Sequence, residues 1–189
     1  MDNEKLDILK LLIERQEERF SIRKISKLRK INYKSAYNAV KKLEKEGIIT
    51  LQKTGNTTIC LFNRAFNESV FAVEYERRKD LFRNKEFKVM HNGLSKLNIP
   101  VIAVLFGSYA KGMQNKHSDI DLLIVAENAE PVKQQISLLP LKIHMTDIKY
   151  SDFIAMLKSR ELTVVSEAIK KNIILVGIEE YYRMINNAV

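Results

Sequence analysis

Residues 101–125 are VIAVLFGSYAKGMQNKHSDIDLLIV. The opening VIAVLF is a continuous apolar run, which is typical of a β-strand buried on both faces. The run ends at Gly107-Ser108, and a short helical turn follows. The acidic residues Asp119 and Asp121 then open a second apolar run, LLIV. This stretch therefore predicts two buried strands that are joined by a short loop and carry polar groups where they meet.

The two acids favour a metal site. Residues i and i+2 of a strand point to the same face, so Asp119 and Asp121 should project together while Ile120 packs behind them. Two such carboxylates repel each other unless a divalent cation such as Mg²⁺ or Mn²⁺ lies between them. A DxD pattern alone is more often a solvated strand end. Here Gly107 lets backbone N–H groups approach a triphosphate and Ser108 can donate to one of its oxygens, which favours the metal and nucleotide.

The motif has a specific resemblance. GSYAKG followed by SDIDLLIV resembles the signature of the DNA polymerase beta-like nucleotidyltransferase superfamily, whose compact minimal nucleotidyltransferases fit this length best. The resemblance spans residues 97–185. It includes the closing pattern EAIKKNIILVGIEEYYRMI, which is similar to the strand and final helix that end such domains.

The resemblance implies an activity: transfer of a nucleoside monophosphate from an NTP to an acceptor hydroxyl, with pyrophosphate leaving. By this resemblance, Asp119 and Asp121 hold two Mg²⁺ ions. Gly107 and Ser108 cradle the β- and γ-phosphates. Lys111 neutralises charge there, although an ordinary exposed loop lysine is an equal alternative.

The sequence departs from the family pattern at the third carboxylate. Active members carry this acid on a later strand, and the matching strand here is LKIHMTDI, which places His144 at that position. A neutral histidine is able to ligate a metal or accept a proton. Asp147 lies three residues further on, an offset that turns it away from the acid pair in a regular strand. Nucleotide binding survives this change better than turnover does.

The N-terminal third predicts three helices and a hairpin. Apolar residues recur at helical spacing in KLDILKLLIERQ and IRKISKLRK, and Ser21 is a suitable N-cap for the second segment. Asn32 caps a third helix, YKSAYNAVKKLEKEG, with Tyr33 expected on its inner face. The runs IITLQK and TTICLFN flank Thr54-Gly55-Asn56, which is typical of a hairpin turn. This pattern resembles the winged-helix family of small prokaryotic regulators.

By that resemblance the third helix lies in the major groove of double-stranded DNA. Asn38 is placed to contact base edges, and the lysines to contact phosphates. The predicted DNA-binding residues are Arg23, Lys24, Lys34, Ser35, Asn38, Lys41, Lys42 and Lys53.

The net charge and its distribution along the chain favour a polyanionic partner. The net charge is +9, and residues 21–64 hold eleven Lys/Arg against two Asp/Glu, whereas the rest of the chain has 21 of each. A concentrated surplus of this kind is the electrostatic footprint of a nucleic-acid-binding domain. No apolar run is long enough to span a membrane. The opening MDNEKLDILK is not a signal peptide, and the single Cys60 reads as a buried hydrophobe, so we expect a cytoplasmic location.

The expected architecture is α+β. A winged helix-turn-helix domain occupies residues 1–66, one connecting helix residues 67–96, and a nucleotidyltransferase-like domain with a mixed sheet and flanking helices residues 97–189. Within the connecting helix, Phe71, Tyr75, Phe82 and Val89 are expected to share a packed side.

Three functions remain open at this stage. The first is a metal-dependent nucleotidyltransferase that its winged helix brings to DNA. The second is a transcriptional regulator whose second domain senses a nucleotide or is vestigial. The third is an antitoxin-type module that acts on a partner protein. A homodimer is also consistent with a winged helix.

Overall fold

The computed structural model describes residues 3–115, 117–159 and 161–188. It divides into two compact units, Met1–Val73 and Glu74–Val189. Among the residues that the structure describes, none of the helices combines the length and the apolar character needed to cross a membrane.

Three helices open the first unit: α1 (Asn3–Glu14), α2 (Ile22–Arg29) and α3 (Tyr33–Lys45). The side chains of Ser21 and Asn32 accept the backbone N–H groups of Lys24 and Ser35, so both predicted N-caps are confirmed. The helices bury one apolar stripe each, formed by Ile8, Leu9, Leu11, Leu12, Ile13, Ile22, Ile25, Ala36, Ala39, Val40 and Leu43.

A small antiparallel sheet completes this unit. Strands β1 (Phe20–Ser21), β2 (Ile49–Thr54) and β3 (Thr57–Phe62) lie in the order β1-β3-β2. The β2–β3 hairpin closes with Thr54 opposite Thr57, and Gly55 adopts the positive φ that such a tight turn requires. Cys60 of β3 is buried, as expected.

The stretch predicted as a single connecting helix forms two helices. α4 (Glu68–Leu81) and α5 (Lys85–Ser95) are separated by a short turn, and Asn84 caps α5. The predicted packed side is wrong, because Phe71, Tyr75 and Val89 are 45 to 55% exposed. The buried residues instead lie on other faces, namely Val70, Val73, Glu74, Arg77, Phe87, Met90 and Leu94.

A four-stranded mixed sheet forms the centre of the second unit. Its strands are β4 (Ile102–Phe106), β5 (Ile120–Val125), β6 (Ile143–Ile148) and β7 (Ile173–Val176), in the order β6-β5-β4-β7. β4 is antiparallel to both β5 and β7, whereas β5 and β6 run parallel. The mixed sheet was predicted and is confirmed. β4 and β5 likewise confirm the two buried strands predicted within residues 101–125.

Helices cover both faces of this sheet. The remaining ones are α6 (Gly107–Lys111), α7 (Glu130–Ser137), α8 (Tyr150–Lys158), α9 (Val164–Lys170) and α10 (Ile178–Ala188). Apolar residues of α5 and α7 form one core with Leu105, Leu122 and Leu175. Alternation along the strands turns the intervening residues toward the opposite face.

Within the second unit, a buried polar network joins Glu74 and Arg77 to the C-terminal residues Asn172 and Tyr182. Arg77 donates to Glu74 at 2.6 Å and also to the backbone carbonyl of Asn172. The Tyr182 hydroxyl donates to the other carboxylate oxygen of Glu74 at 2.5 Å. Glu74 is fully buried, so these hydrogen bonds satisfy a charge that would otherwise be costly in the interior.

Candidate functional site

The turn after β4 requires glycine for two reasons. Gly107 has a φ of +68°, a conformation that side chains with a β-carbon rarely adopt. A β-carbon at this position would also overlap Oδ2 of Asp121. The Gly107 turn and the Asp121 carboxylate are therefore in close contact.

The two predicted metal ligands flank Ile120, the first residue of β5. Asp119 directly precedes the strand, Ile120 is buried, and Asp121 lies opposite Phe106 of β4. The side chains of Asp119 and Asp121 are 39% and 28% exposed, so both reach solvent only in part. Partial burial strengthens their electrostatic interactions with any cation that approaches.

Strand β6 brings a histidine beside the acid pair. The β5–β6 pairing runs in one continuous register, in which Asp121 is the partner of His144. His144 Nδ1 lies 3.3 Å from Asp121 Oδ1, and the side chain of His144 is 68% exposed. The structure therefore brings together Gly107, Asp119, Asp121 and His144 at one end of the sheet.

Lys142 completes this group and was missed by sequence reasoning. Its Nζ lies 2.6 Å from Asp119 Oδ1, and its backbone carbonyl accepts the N–H of Ile120. Lys142 directly precedes β6 and His144 is the second residue of that strand. They lie beside Asp119 and Asp121, which have the same two-residue spacing at the start of β5. The positive residue two places before His144 was the available signal. Its position beside Asp119 depends on the parallel pairing of β5 and β6, which is not visible in the sequence.

Asp147 stands apart from this group. It pairs with Ile124 in the β5–β6 register and forms an ion pair with Lys133 Nζ at 3.2 Å. The continuous register leaves no bulge between these strands that would turn Asp147 toward Asp121. His144 therefore occupies the position beside Asp121.

Ser108 and Lys111 lie on the short helix α6. Ser108 is half-buried, and Lys111 is exposed at the last turn. A hydrogen bond from Lys170 lowers the pKa of Glu167 on α9, with a smaller electrostatic contribution from Lys111. Lys111 is thus close enough to α9 to contribute positive charge near that helix.

The donor set fits a cation that arrives with a phosphate ligand. Within residues 3–115, 117–159 and 161–188, no group of three His, Cys, Asp or Glu side chains is arranged to hold a metal ion. Two carboxylates are nevertheless a common protein contribution to Mg²⁺ sites whose remaining ligands are water and substrate phosphate. Asp119 and Asp121 therefore fit a metal–nucleotide complex better than a resident metal.

Most predicted DNA-binding side chains are on the surface of the first unit. The structure shows Arg23, Lys24, Lys34, Asn38, Lys41, Lys42 and Lys53 exposed, and Ser35 half-buried. Acidic residues lie beside some of these lysines: Lys24 Nζ is 3.1 Å from Glu18, and Lys41 Nζ is 2.7 Å from Glu44. The hydrogen bond to Glu44 raises the pKa of Lys41.

Sequence reasoning also missed an aromatic feature of this surface. Tyr33 was expected to point inward, but it is 53% exposed and stacks with Tyr37, their ring centroids being 6.4 Å apart. A groove of about 260 Å³ lies beside it, lined by Ser21, Ile22, Arg23, Tyr33, Asn56, Thr57 and Thr58. The N-termini of α2 and α3 and the tip of the hairpin therefore form one concave polar surface.

Comparison with known proteins locates the family resemblance in the second unit. No curated protein and no solved structure matches the chain. Residues 90–181 match the model of the family described as Polymerase beta, Nucleotidyltransferase, which supports a nucleotidyltransferase domain in this part of the chain.

Proposed function

We propose that the second unit binds an NTP with Mg²⁺ or Mn²⁺ and transfers the nucleoside monophosphate to an acceptor hydroxyl. The observation that carries this proposal is the contact between the Gly107 turn and Asp121, with Asp119 two residues before it. This contact lies inside the segment that matches the nucleotidyltransferase family. A phosphate-binding turn and an acid pair are the two elements that this reaction needs side by side.

The turn and the acids have separate roles. Gly107 and Ser108 bind the β- and γ-phosphates through backbone N–H groups and the serine hydroxyl, and Lys111 adds positive charge. Asp119 and Asp121 hold the metal–nucleotide complex. When bound, the metal stabilises the charge that develops on the leaving pyrophosphate.

His144 is the proposed proton acceptor. When Nδ1–H donates to Asp121 Oδ1 at 3.3 Å, Nε2 carries the lone pair and faces away from the acid. The acceptor hydroxyl gives its proton to Nε2 as its oxygen bonds to the α-phosphorus. The bond from this phosphorus to pyrophosphate breaks at the same time.

Two measurements test this function. The first follows labelled nucleotide onto candidate hydroxyl acceptors, with Asp119→Asn as the inactive comparison. The second measures the thermal unfolding midpoint with and without Mg-ATP, which should rise in the unaltered protein but not in Asp119→Ala/Asp121→Ala. Equal midpoints with and without Mg-ATP in the unaltered protein would contradict the proposal.

The geometry favours one second candidate, a regulator that senses nucleotide without turning it over. A histidine rather than a third carboxylate is the neighbour of Asp121, and Asp119 is already paired with Lys142. The two candidates differ in one result. A sensor gains thermal stability from Mg-ATP but leaves no labelled nucleotide on any acceptor.

For the first unit we propose a winged helix that binds double-stranded DNA. Three helices followed by a β-hairpin support this, as do the exposed Lys34, Asn38 and Lys41 on α3. In this proposal α3 enters the major groove, Asn38 contacts base edges, and the lysines contact phosphates, with Arg23 and Lys53 at the flanks. A homodimer that reads two half-sites is the corresponding assembly.

A further inference from the structure

We infer that Lys142 competes with the divalent cation for Asp119, so that the metal enters this site with a nucleotide rather than alone. The inference rests on the proposed nucleotide binding and adds to it a specific residue that controls metal loading.

Lys142 lies within ion-pair distance of one of the two acids. Lys142 Nζ lies 2.6 Å from Asp119 Oδ1, which is the distance of a close ion pair. The backbone of Lys142 is fixed beside Asp119, because its carbonyl accepts the N–H of Ile120 at 2.9 Å. The positive charge therefore lies where a cation shared by the two acids would approach Asp119.

Lys142 and Asp119 differ in their exposure to solvent. The side chain of Lys142 is 79% exposed, and β6 stands at one end of the strand order β6-β5-β4-β7. Asp119 Oδ1 is itself buried. The lysine is thus able to leave without disturbing packed atoms, whereas the carboxylate oxygen stays. An incoming divalent cation must displace the ammonium group or share Asp119 with it.

Asp121 differs from Asp119 in its neighbours. The carboxylate of Asp121 lies against Gly107 and beside His144, so strand pairing and the turn both fix its position. Asp121 keeps its position when the metal binds, whereas the ion pair between Lys142 and Asp119 changes. Phosphate oxygens add ligands and negative charge, which together offset the repulsion from Lys142.

The expected change in Mn²⁺ affinity follows from the charges of Lys142 and the metal. Repulsion between an ammonium group and a divalent cation a few ångströms away corresponds to about a tenfold change in affinity at the protein surface. Removal of Lys142 should therefore tighten Mn²⁺ binding by about tenfold. Its replacement by arginine should not.

The experiment measures Mn²⁺ binding to the full chain by electron paramagnetic resonance, with and without a non-hydrolysable ATP analogue. The variants are Lys142→Met, which keeps the length of the side chain, Lys142→Gln as a second neutral variant, and Lys142→Arg, which keeps the charge. Lys133→Met is the matched control, because it removes an equal charge from the ion pair with Asp147. The thermal unfolding midpoint of each variant confirms folding.

The inference expects Mn²⁺ to bind about tenfold more tightly to Lys142→Met and Lys142→Gln, and with unchanged affinity to Lys142→Arg and Lys133→Met. Unchanged affinity in both neutral variants, with nucleotide-dependent Mn²⁺ binding intact, overturns the role of Lys142 and leaves the proposed function standing. If Lys133→Met binds Mn²⁺ equally more tightly, the cause is net charge and not the position of Lys142. This result also overturns the inference. Failure of every protein to bind Mn²⁺ with the analogue overturns the proposed function itself.

Discussion

His144 Nδ1 lies 3.3 Å from Asp121 Oδ1, and the two residues are register partners on parallel strands. The carboxylate can orient the imidazole through this contact and favour the tautomer whose Nε2 accepts a proton. The same carboxylate keeps its second oxygen against the Gly107 turn. Asp121 thus links the proposed phosphate-binding turn to the proposed proton acceptor.

Replacement of His144 separates turnover from binding. We expect His144→Asn to lower nucleotide transfer by about 10²–10⁴-fold, because the amide is able to donate to Asp121 but cannot act as a base. Binding of Mg-ATP, measured as thermal stabilisation, should change little. A transfer rate equal to that of the unaltered protein would exclude His144 as the proton acceptor.

Two glycines with one backbone conformation test the turn. Gly107 and Gly112 both have a φ of +68°, but only at Gly107 would a β-carbon meet Asp121. At Gly112 no atom of the described residues lies within 4 Å of it. Gly112→Ala should therefore cost about 1–2 kcal/mol of unfolding free energy through backbone strain alone. Gly107→Ala should cost more and also abolish stabilisation by Mg-ATP, as measured by denaturant titration and thermal unfolding. Equal behaviour of the two variants in Mg-ATP would refute the contact as a functional feature.

The basic surface of the first unit predicts salt-dependent DNA binding. Affinity for duplex DNA, measured by fluorescence anisotropy, should fall steeply as salt rises. Lys34→Ala and Lys53→Ala should each weaken binding and reduce the slope of log affinity against log salt by about one, if each side chain contacts one phosphate. Lys133→Ala in the second unit is the control and should leave the slope unchanged. A response to salt that is flat in the unaltered protein would count against DNA binding.

Cys60 should be an inert thiol in the folded protein. Burial raises its pKa to about 12, so hardly any reactive thiolate exists at pH 8. Alkylation by iodoacetamide at this pH should be slow in buffer and fast in urea. Because the unfolded thiol ionises near its ordinary pKa of about 8.5, the contribution of Cys60 to stability is full below that pH. It is lost progressively as the pH rises toward 12. Fast alkylation without denaturant would show that the thiol is exposed.

His91 should make the second unit sensitive to acid. Burial lowers the pKa of His91, with a further contribution from the positive charge of Arg78. Its Nδ1 lies 3.0 Å from the carbonyl oxygen of Leu175, and its ring stacks on Phe82. The hydrogen bond to Leu175 raises the pKa of His91, but burial has the larger effect, so the folded state favours the neutral ring. This contribution to stability is complete above the ordinary pKa of about 6.5 and is lost as the pH falls through the lowered value. Between pH 7.5 and 5, the unfolding midpoint of the unaltered protein should fall more than that of His91→Asn. Parallel profiles of the two proteins would contradict this prediction.

Local sequence patterns were sufficient to predict many of the strands and helix starts. The apolar runs 101–106 and 122–125 predicted buried strands, and Ser21 and Asn32 predicted helix starts, because strand burial and N-capping depend on a few neighbouring residues. The spacing of Gly107, Ser108 and the DxD pair indicated a candidate site for the same reason. Each of these features is encoded within a short stretch of chain.

Packing between residues distant in the sequence decided the features that these local patterns did not predict. The stretch 67–96 has helical character throughout, yet the turn at Phe82–Asn84 and the exposure of Phe71 and Tyr75 depend on which face other elements cover. Tyr33 is exposed for the same reason.

The sequence by itself determined that a glycine-serine turn and two acids lie near each other along the chain, because their separation is short and their strands are strongly apolar. Only the tertiary structure decided which charges face those acids. Lys142 directly precedes β6 and His144 lies within it, more than twenty residues along the chain from the two acids. Their positions beside Asp119 and Asp121 depend on the parallel register of β5 and β6. A shift of one residue in that register would have turned both side chains to the opposite face of the sheet.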